Sequence, residues 1–258
     1  MRIGKTDQPL TAISTSDAQS IRVRGLDLCG DIIGRMDFTS YFWLLVTGET
    51  PDEDQRFLAD AVLTAIAEHG LVPSVVAARM TYAAAPEAFQ GAVAAGLSGC
   101  GTVVLGSAEV AGQFLAGLAA AAGEGDAAPA VTATLAEYRA ARRAVPGFGH
   151  PQHSDGDPRA HRLLALADER GVSGRHVGML RAVKAALPVA LGRDLPINVN
   201  GAIPAVMLDA GFPLAALKGI SLLARTASLI AHLREEAERP IGFILSAEAA
   251  KAIRYDGD

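Results

Sequence analysis

Val145-Pro146-Gly147-Phe148-Gly149-His150-Pro151-Gln152-His153-Ser154-Asp155-Gly156-Asp157-Pro158-Arg159-Ala160 is the most informative segment of the chain. Gly147 and Gly149 flank Phe148 and allow the backbone to approach a neighbour or a ligand closely. Pro146 and Pro151 restrict the chain on either side of His150. Asp157-Pro158 reads as a helix N-cap followed by proline at the first helical position. The helix it opens carries Leu163, Leu164 and Ala167 on one face and stops near Gly171. Arg159 falls in its first turn. Read from residues alone, the segment is either a stiff turn holding a hydrogen-bonded histidine or a rigid loop presenting the His150 imidazole to a ligand.

The wording Pro-Gly-Phe-Gly-His followed by Asp-Pro-Arg-Ala resembles the signature of the citrate synthase family, and the similarity runs over nearly the whole chain. Ile33-Gly34-Arg35-Met36-Asp37-Phe38, continuing to Phe42 and on through Gly48 to Pro51, resembles the family's first helical unit. Glu68-His69-Gly70 through Arg79 resembles the segment that supplies the family's first active-site histidine. Leu195-Pro196-Ile197-Asn198-Val199-Asn200-Gly201 resembles the segment that carries its catalytic aspartate. The likeness is greatest to the citryl-CoA lyase branch, which includes the lyase module of ATP-citrate lyase. Two positions depart from the family pattern. Leu105-Gly106-Ser107-Ala108 stands where many members read His-Gly-Gly-Ala, as the ATP-citrate lyase module also lacks that histidine. Asn200 stands where the family has its acid–base aspartate, and an amide cannot exchange a proton as a carboxyl does.

Bulk composition agrees with a helical protein. Half of the 258 residues are hydrophobic, many of them alanine, and aromatics make up only 5%, which suits packed helices better than strands. No strand pattern long enough to build a sheet stands out. A formal net charge of −5 argues against a nucleic-acid surface. Cys29 and Cys100 have no metal-ligand spacing and suit a reducing compartment. With no basic segment leading into an apolar one at the start, the expected location is the cytoplasm. The uncharged run from Ala88 to Ala108 is long enough to tempt a membrane assignment, but its five glycines, with Gln90 and Ser98, suit close helix packing in a soluble core.

Residues 1–20 read as a polar arm and Ile21–Gly25 as a short extended piece. A short apolar helix surrounds Trp43 and closes at Gly48, and Thr50-Pro51-Asp52-Glu53 has a capping-box pattern for the next. That helix shows Phe57, Leu58, Ala61, Val62, Ala65 and Ile66 as a double stripe and ends near His69. Further helices are expected around 86–98 and 106–122, up to Arg143, over 176–191 with a kink near Pro188, and over 214–236.

What the resemblance implies is an all-α, citrate synthase-like fold, with residues 1–110 and 206–258 forming a large helical domain and 111–205 a small one. It implies catalytic roles for His69 and His150, with Asn200 in the acid's place. Arg159, Arg225 and Arg239 would bind substrate carboxylates, Arg239 across the interface of a homodimer or a dimer of dimers. Arg142 and Arg143, with Gly147, Phe148 and Gly149, would receive coenzyme A, which enters as part of substrate and product rather than as a resident cofactor. As bare residues, Arg142 and Arg143 equally fit a solvated helix end, and Arg225 and Arg239 ordinary salt bridges. No metal, nucleic-acid or membrane partner is expected. The implied chemistry is retro-Claisen cleavage of citryl-CoA or a related 3-hydroxyacyl-CoA to acetyl-CoA and oxaloacetate. Two alternatives accompany it: the synthase condensation, and a non-catalytic dimer that binds CoA esters after losing its acid.

Overall fold

The computed structural model of the chain describes residues 9–149 and 156–257, which divide into two compact units, 1–60 and 61–258. Among the described residues, 65% are helical and 4% are strand, as the all-α expectation requires.

The first unit holds the strand content. β1 (Ser14–Ser16), β2 (Ile21–Val23) and β3 (Leu26–Asp27) form an antiparallel sheet in sequence order. The supposed polar arm therefore contains a strand, paired through Ser14 with Val23 and Ser16 with Ile21. Strands of two or three residues are too short to display an alternating pattern, so periodicity had nothing to register. Arg24 and Gly25 both have positive φ and close the β2–β3 hairpin in two residues. The Arg24 guanidinium then donates to the Leu45 carbonyl from Nε at 3.1 Å and Nη2 at 2.6 Å. Asp27 caps a single π-helical turn, Leu28–Ile32, by accepting from the Cys29 and Gly30 N–H groups. Val23, Ile32 and Leu44 form the small core beneath, with Leu26, Met36 and Tyr41 packed on it.

α1 (Phe38–Thr47) starts on Asp37, whose carboxylate accepts from Ser40 N–H, and ends on left-handed Gly48. α2 (Glu53–Ala67) opens with a reciprocal box two residues later than its sequence suggests. Asp52 accepts from Gln55 N–H at 2.8 Å and Gln55 Oε1 accepts from Asp52 N–H at 3.0 Å. Aspartate and glutamine satisfy the two orphan donors as well as Thr50 and Glu53 would have.

In the second unit, α3 (Pro73–Ala84), α4 (Phe89–Ser98), α10 (Leu217–Glu238) and α11 (Gly242–Ala252) pack together. Their shared core is Val75, Ala78 and Ala92 against Leu229 and Leu233. A second group comprises α5 (Ser107–Ala122), α6 (Ala128–Ala140), α7 (Pro158–Glu169), α8 (Arg175–Leu191) and α9 (Val199–Asp209). α5 packs on both α9 and α10 and so joins the groups. A short 3₁₀ turn, Leu214–Ala216, leads into α10.

Leu214–Glu238 is long and apolar enough to cross a membrane by length and composition. It behaves as a core helix instead: Arg225 and Glu236 on it are 2% exposed and both are held by protein partners. Glu236 accepts from Arg79 Nε at 2.6 Å and, through its other oxygen, from the Ile241 and Gly242 N–H groups. One buried carboxylate thereby ties α10 to α3 and caps α11. Arg79 also donates to Glu235 and to the Arg239 carbonyl. Arg79 and Glu236 are thus paired and hydrogen-bonded, the condition for tolerating them inside a protein.

Candidate active site

The segment opening at Val145 folds as its glycines demand. Gly147 and Gly149 have φ of +86° and +79°. A β-carbon on Gly147 would stand 2.8 Å from the Gly201 Cα, and one on Gly201 would stand 2.6 Å from the Gly147 carbonyl oxygen. Only two glycines permit this backbone crossing. Across it, Gly149 N–H donates to Pro196 O at 2.8 Å, Asn198 N–H donates to Gly147 O at 3.0 Å, and Phe148 bridges Ile197. Asn198 caps α9 by accepting from Gly201 N–H, while its Nδ2 donates to Gly149 O at 2.6 Å. The loop and the start of α9 are therefore one rigid piece, and Asn200 sits on it as the second residue of the helix.

Asp157 locks this piece from behind. Its carboxylate is fully buried, caps α7, and accepts from Arg159 Nε at 3.0 Å, Arg159 Nη2 at 2.9 Å and the Val199 N–H at 2.9 Å. Burial alone would raise its pKa, but the Arg159 hydrogen bond, the Val199 N–H and the guanidinium charge outweigh that and hold it below the ordinary aspartate range. Two edges of the Arg159 fork are thus occupied. Its Nη1 has no partner among the described residues and is the part left for a ligand.

A second network carries His69. Glu68, just past α2, accepts from the His69 and Gly70 N–H groups through Oε1. Its Oε2 accepts from Ser228 Oγ at 2.5 Å and His232 Nε2 at 3.0 Å. His232 Nδ1 lies 3.4 Å from Arg79 Nη1, which can only donate, so the neutral ring carries its proton on Nε2, facing Glu68. Ser228 Oγ also accepts from Arg225 Nη1 at 3.1 Å, and that guanidinium stands 4.0 Å from Glu68. Burial raises the Glu68 pKa, yet the Ser228 and Gly70 hydrogen bonds and His232 bring it below its usual value. Burial pushes Arg225 down from its usual range, against the Glu68 charge that favours the cation. Arg225 Nε is buried and makes no hydrogen bond among the described residues.

Both networks face one cavity of about 520 Å³. His69, Arg159, Asn200 and Arg225 line it together with Gly147, Phe148 and Gly149, which brings seven of the sequence-nominated residues to one place. Its remaining wall is mainly apolar, including Ile66, Val72, Val103, Leu105 and Val110. The Asn200 amide has no hydrogen-bond partner among the described residues. His150 lies outside the described residues. Arg142, Arg143 and Arg239 do not line the cavity. Arg142 is exposed with φ +52°, and the Arg143 guanidinium stacks 4.1 Å above the Tyr138 ring, beside the loop. Arg239 is exposed just beyond α10. Among the described residues, no group of three or more His, Cys, Asp or Glu side chains could hold a metal ion.

Sequence reading alone passed over Glu68, Asn198 and Ser228. Asn198 could have been found as an N-cap one position before a helix. Glu68 and Ser228 are 160 positions apart and carry no local signal of their pairing.

Comparison with known proteins gives the family and the fold. The family model described as citrate synthase, C-terminal domain, matches residues 31–244. Citryl-CoA lyase from Hydrogenobacter thermophilus superposes with a TM-score of 0.86 at 28% identity, covering 100% of this chain and 96% of that one. ATP citrate lyase from Methanothrix soehngenii, solved with citrate and coenzyme A, gives 0.79 at 20% identity, with 99% of this chain lying on 43% of that one. Citrate synthase from Thermotoga maritima gives 0.66 at 19% identity over 85% of this chain and 56% of its own. Among curated proteins no sequence matches.

Proposed function

The chain belongs to the citrate synthase family, and on that premise we propose that it is a citryl-CoA lyase-type enzyme, cleaving citryl-CoA or a related 3-hydroxyacyl-CoA by retro-Claisen chemistry. The observation that carries the reading is the convergence of His69, Arg159, Arg225 and Asn200 on one cavity with apolar walls. A thioester bearing carboxylates needs that combination: cations for the acid half and a water-poor surface for the rest. The likeness to a citryl-CoA lyase over nearly the full length of both chains supports it.

In the reaction a base takes the proton of the tertiary hydroxyl, whose oxygen becomes the oxaloacetate carbonyl as the carbon–carbon bond breaks. The bonding pair passes to the thioester half as an enolate, which is protonated on carbon to give acetyl-CoA. We assign the hydroxyl proton to His150 and stabilisation of the enolate oxygen to a hydrogen bond from His69. Arg159, through Nη1, and Arg225 take carboxylates, and Arg239 adds a third cation across a homodimer interface. Asn200 orients the thioester or a water, and another acid or a water delivers the proton to carbon. Arg142 and Arg143, with the Gly147–Gly149 backbone, receive coenzyme A. Residues 1–110 with 206–258 form the large domain and 111–205 the small one, and the protein works in the cytoplasm.

Purified protein given citryl-CoA, with acetyl-CoA and oxaloacetate followed separately from the reverse mixture, tests the reading. Product release that outpaces condensation supports a lyase. Net condensation identifies a synthase, and tight CoA binding with no turnover identifies a non-catalytic binder, the reading that Asn200 favours.

A further inference from the structure

Ser107 is the first residue of α5, and its Oγ is buried in the cavity region with no hydrogen-bond partner among the described residues. Leaving a hydroxyl unpaired in a protein interior is costly, so such a group calls for an explanation. The helix it opens has no side-chain cap, and the Ser107, Ala108 and Glu109 N–H groups have no acceptor among the described residues. These N–H groups carry the positive end of the helix dipole. The turn leading in is held rigid: Gly106 N–H donates to Gly101 O at 2.9 Å, and Leu105 adopts φ +64°, which a leucine rarely does. A second, separate observation points the same way. Arg225, 2% exposed, lines the same cavity with its Nε unpaired. Every unsatisfied group named here can donate a hydrogen bond, and the region carries positive charge.

We propose that Ser107, the first turn of α5 and Arg225 Nε form a subsite for an anionic oxygen of the substrate, with Ser107 as a residue that touches it. The inference rests on the function proposed above, in which two oxygens qualify: a carboxylate of the acid half, or the thioester oxygen that becomes an enolate. Both need neutral and cationic donors preorganised at one point.

Three substitutions of Ser107 test it. Ser107→Ala removes the donor, Ser107→Thr keeps it, and Ser107→Asp puts a carboxylate where the anion would bind while remaining favourable for a helix N-terminus. The subsite predicts that Ser107→Ala loses at least about tenfold in kcat/KM for citryl-CoA, that Ser107→Thr recovers most of it, and that Ser107→Asp loses more than Ser107→Ala while melting no lower than the wild type. Oxaloacetate affinity by calorimetry separates the sources. A tenfold weaker oxaloacetate complex in Ser107→Ala assigns the carboxylate, and an unchanged complex with lower kcat assigns the enolate oxygen. Ser107→Ala equal to wild type in both assays overturns the subsite alone. Wild-type protein that neither binds oxaloacetate nor cleaves citryl-CoA overturns the proposed function and the subsite with it.

Discussion

Asn200 is the residue on which the proposed chemistry turns. It is held rigidly by Asn198 and the Gly147–Gly201 crossing, lines the cavity, and has an amide with no partner among the described residues. Asn200→Asp changes little in volume and supplies a proton donor and acceptor. A positioned acid–base group contributes roughly 10²–10⁴-fold, so the variant is expected to cleave citryl-CoA at least about tenfold faster than wild type. A slower variant would mean that the amide itself holds the thioester or a water. This residue was legible in the sequence because it stands inside a contiguous stretch, Leu195 to Gly201, that resembles a known family's pattern. Glu68 was not, since its significance depends on Ser228, His232 and Arg225, all more than 150 positions away.

At the scale of elements, buried aspartates at helix starts organise the second unit. Asp157 caps α7 and holds the first residue of α9. Asp209, at the end of α9, caps α8 by accepting from the Gly174, His176 and Val177 N–H groups and from the His176 ring. In both, burial raises the pKa but the hydrogen bonds outweigh it, Arg159 and Val199 for Asp157 and His176 and Val177 for Asp209, so the net shift is downward. A depressed native pKa means the unfolded chain binds the proton first. The stability these groups contribute is present above the ordinary carboxylate range and lost as pH falls through their native values. The melting temperature is therefore expected to drop once the pH goes below about 4, and Asp209→Asn to flatten that limb. An unchanged limb in the variant would contradict the assignment. The Asp157 cap could be read from Asp-Pro-Arg because capping is local. Asp209 could not, because it caps a helix whose start precedes it in the chain by more than 30 residues. The three-stranded sheet escaped for the opposite reason, its strands being too short to show any period.

For the whole molecule, Arg239 raises the question of assembly. Its side chain is exposed and away from the cavity, while its carbonyl is fixed by Arg79. The adjoining α11 exposes Phe243 and Ile244, 71% and 57% accessible. A two-fold partner would cover such apolar surface and would let Arg239 reach a second cavity. Light scattering at micromolar concentration is expected to give a dimer or a multiple of one. A monomer with full activity would remove Arg239 from the site. The central claim is that the cavity bounded by His69, Asn200, Arg159 and Arg225 is where a CoA thioester is cleaved. Its most direct test is citryl-CoA turnover by wild type and Arg225→Met, with melting temperatures measured alongside. The account predicts acetyl-CoA and oxaloacetate from the wild type and at least about a hundredfold loss in Arg225→Met, whose apolar side chain fills the buried position but cannot hold a carboxylate. A variant that melts like wild type and turns over citryl-CoA as fast would contradict it.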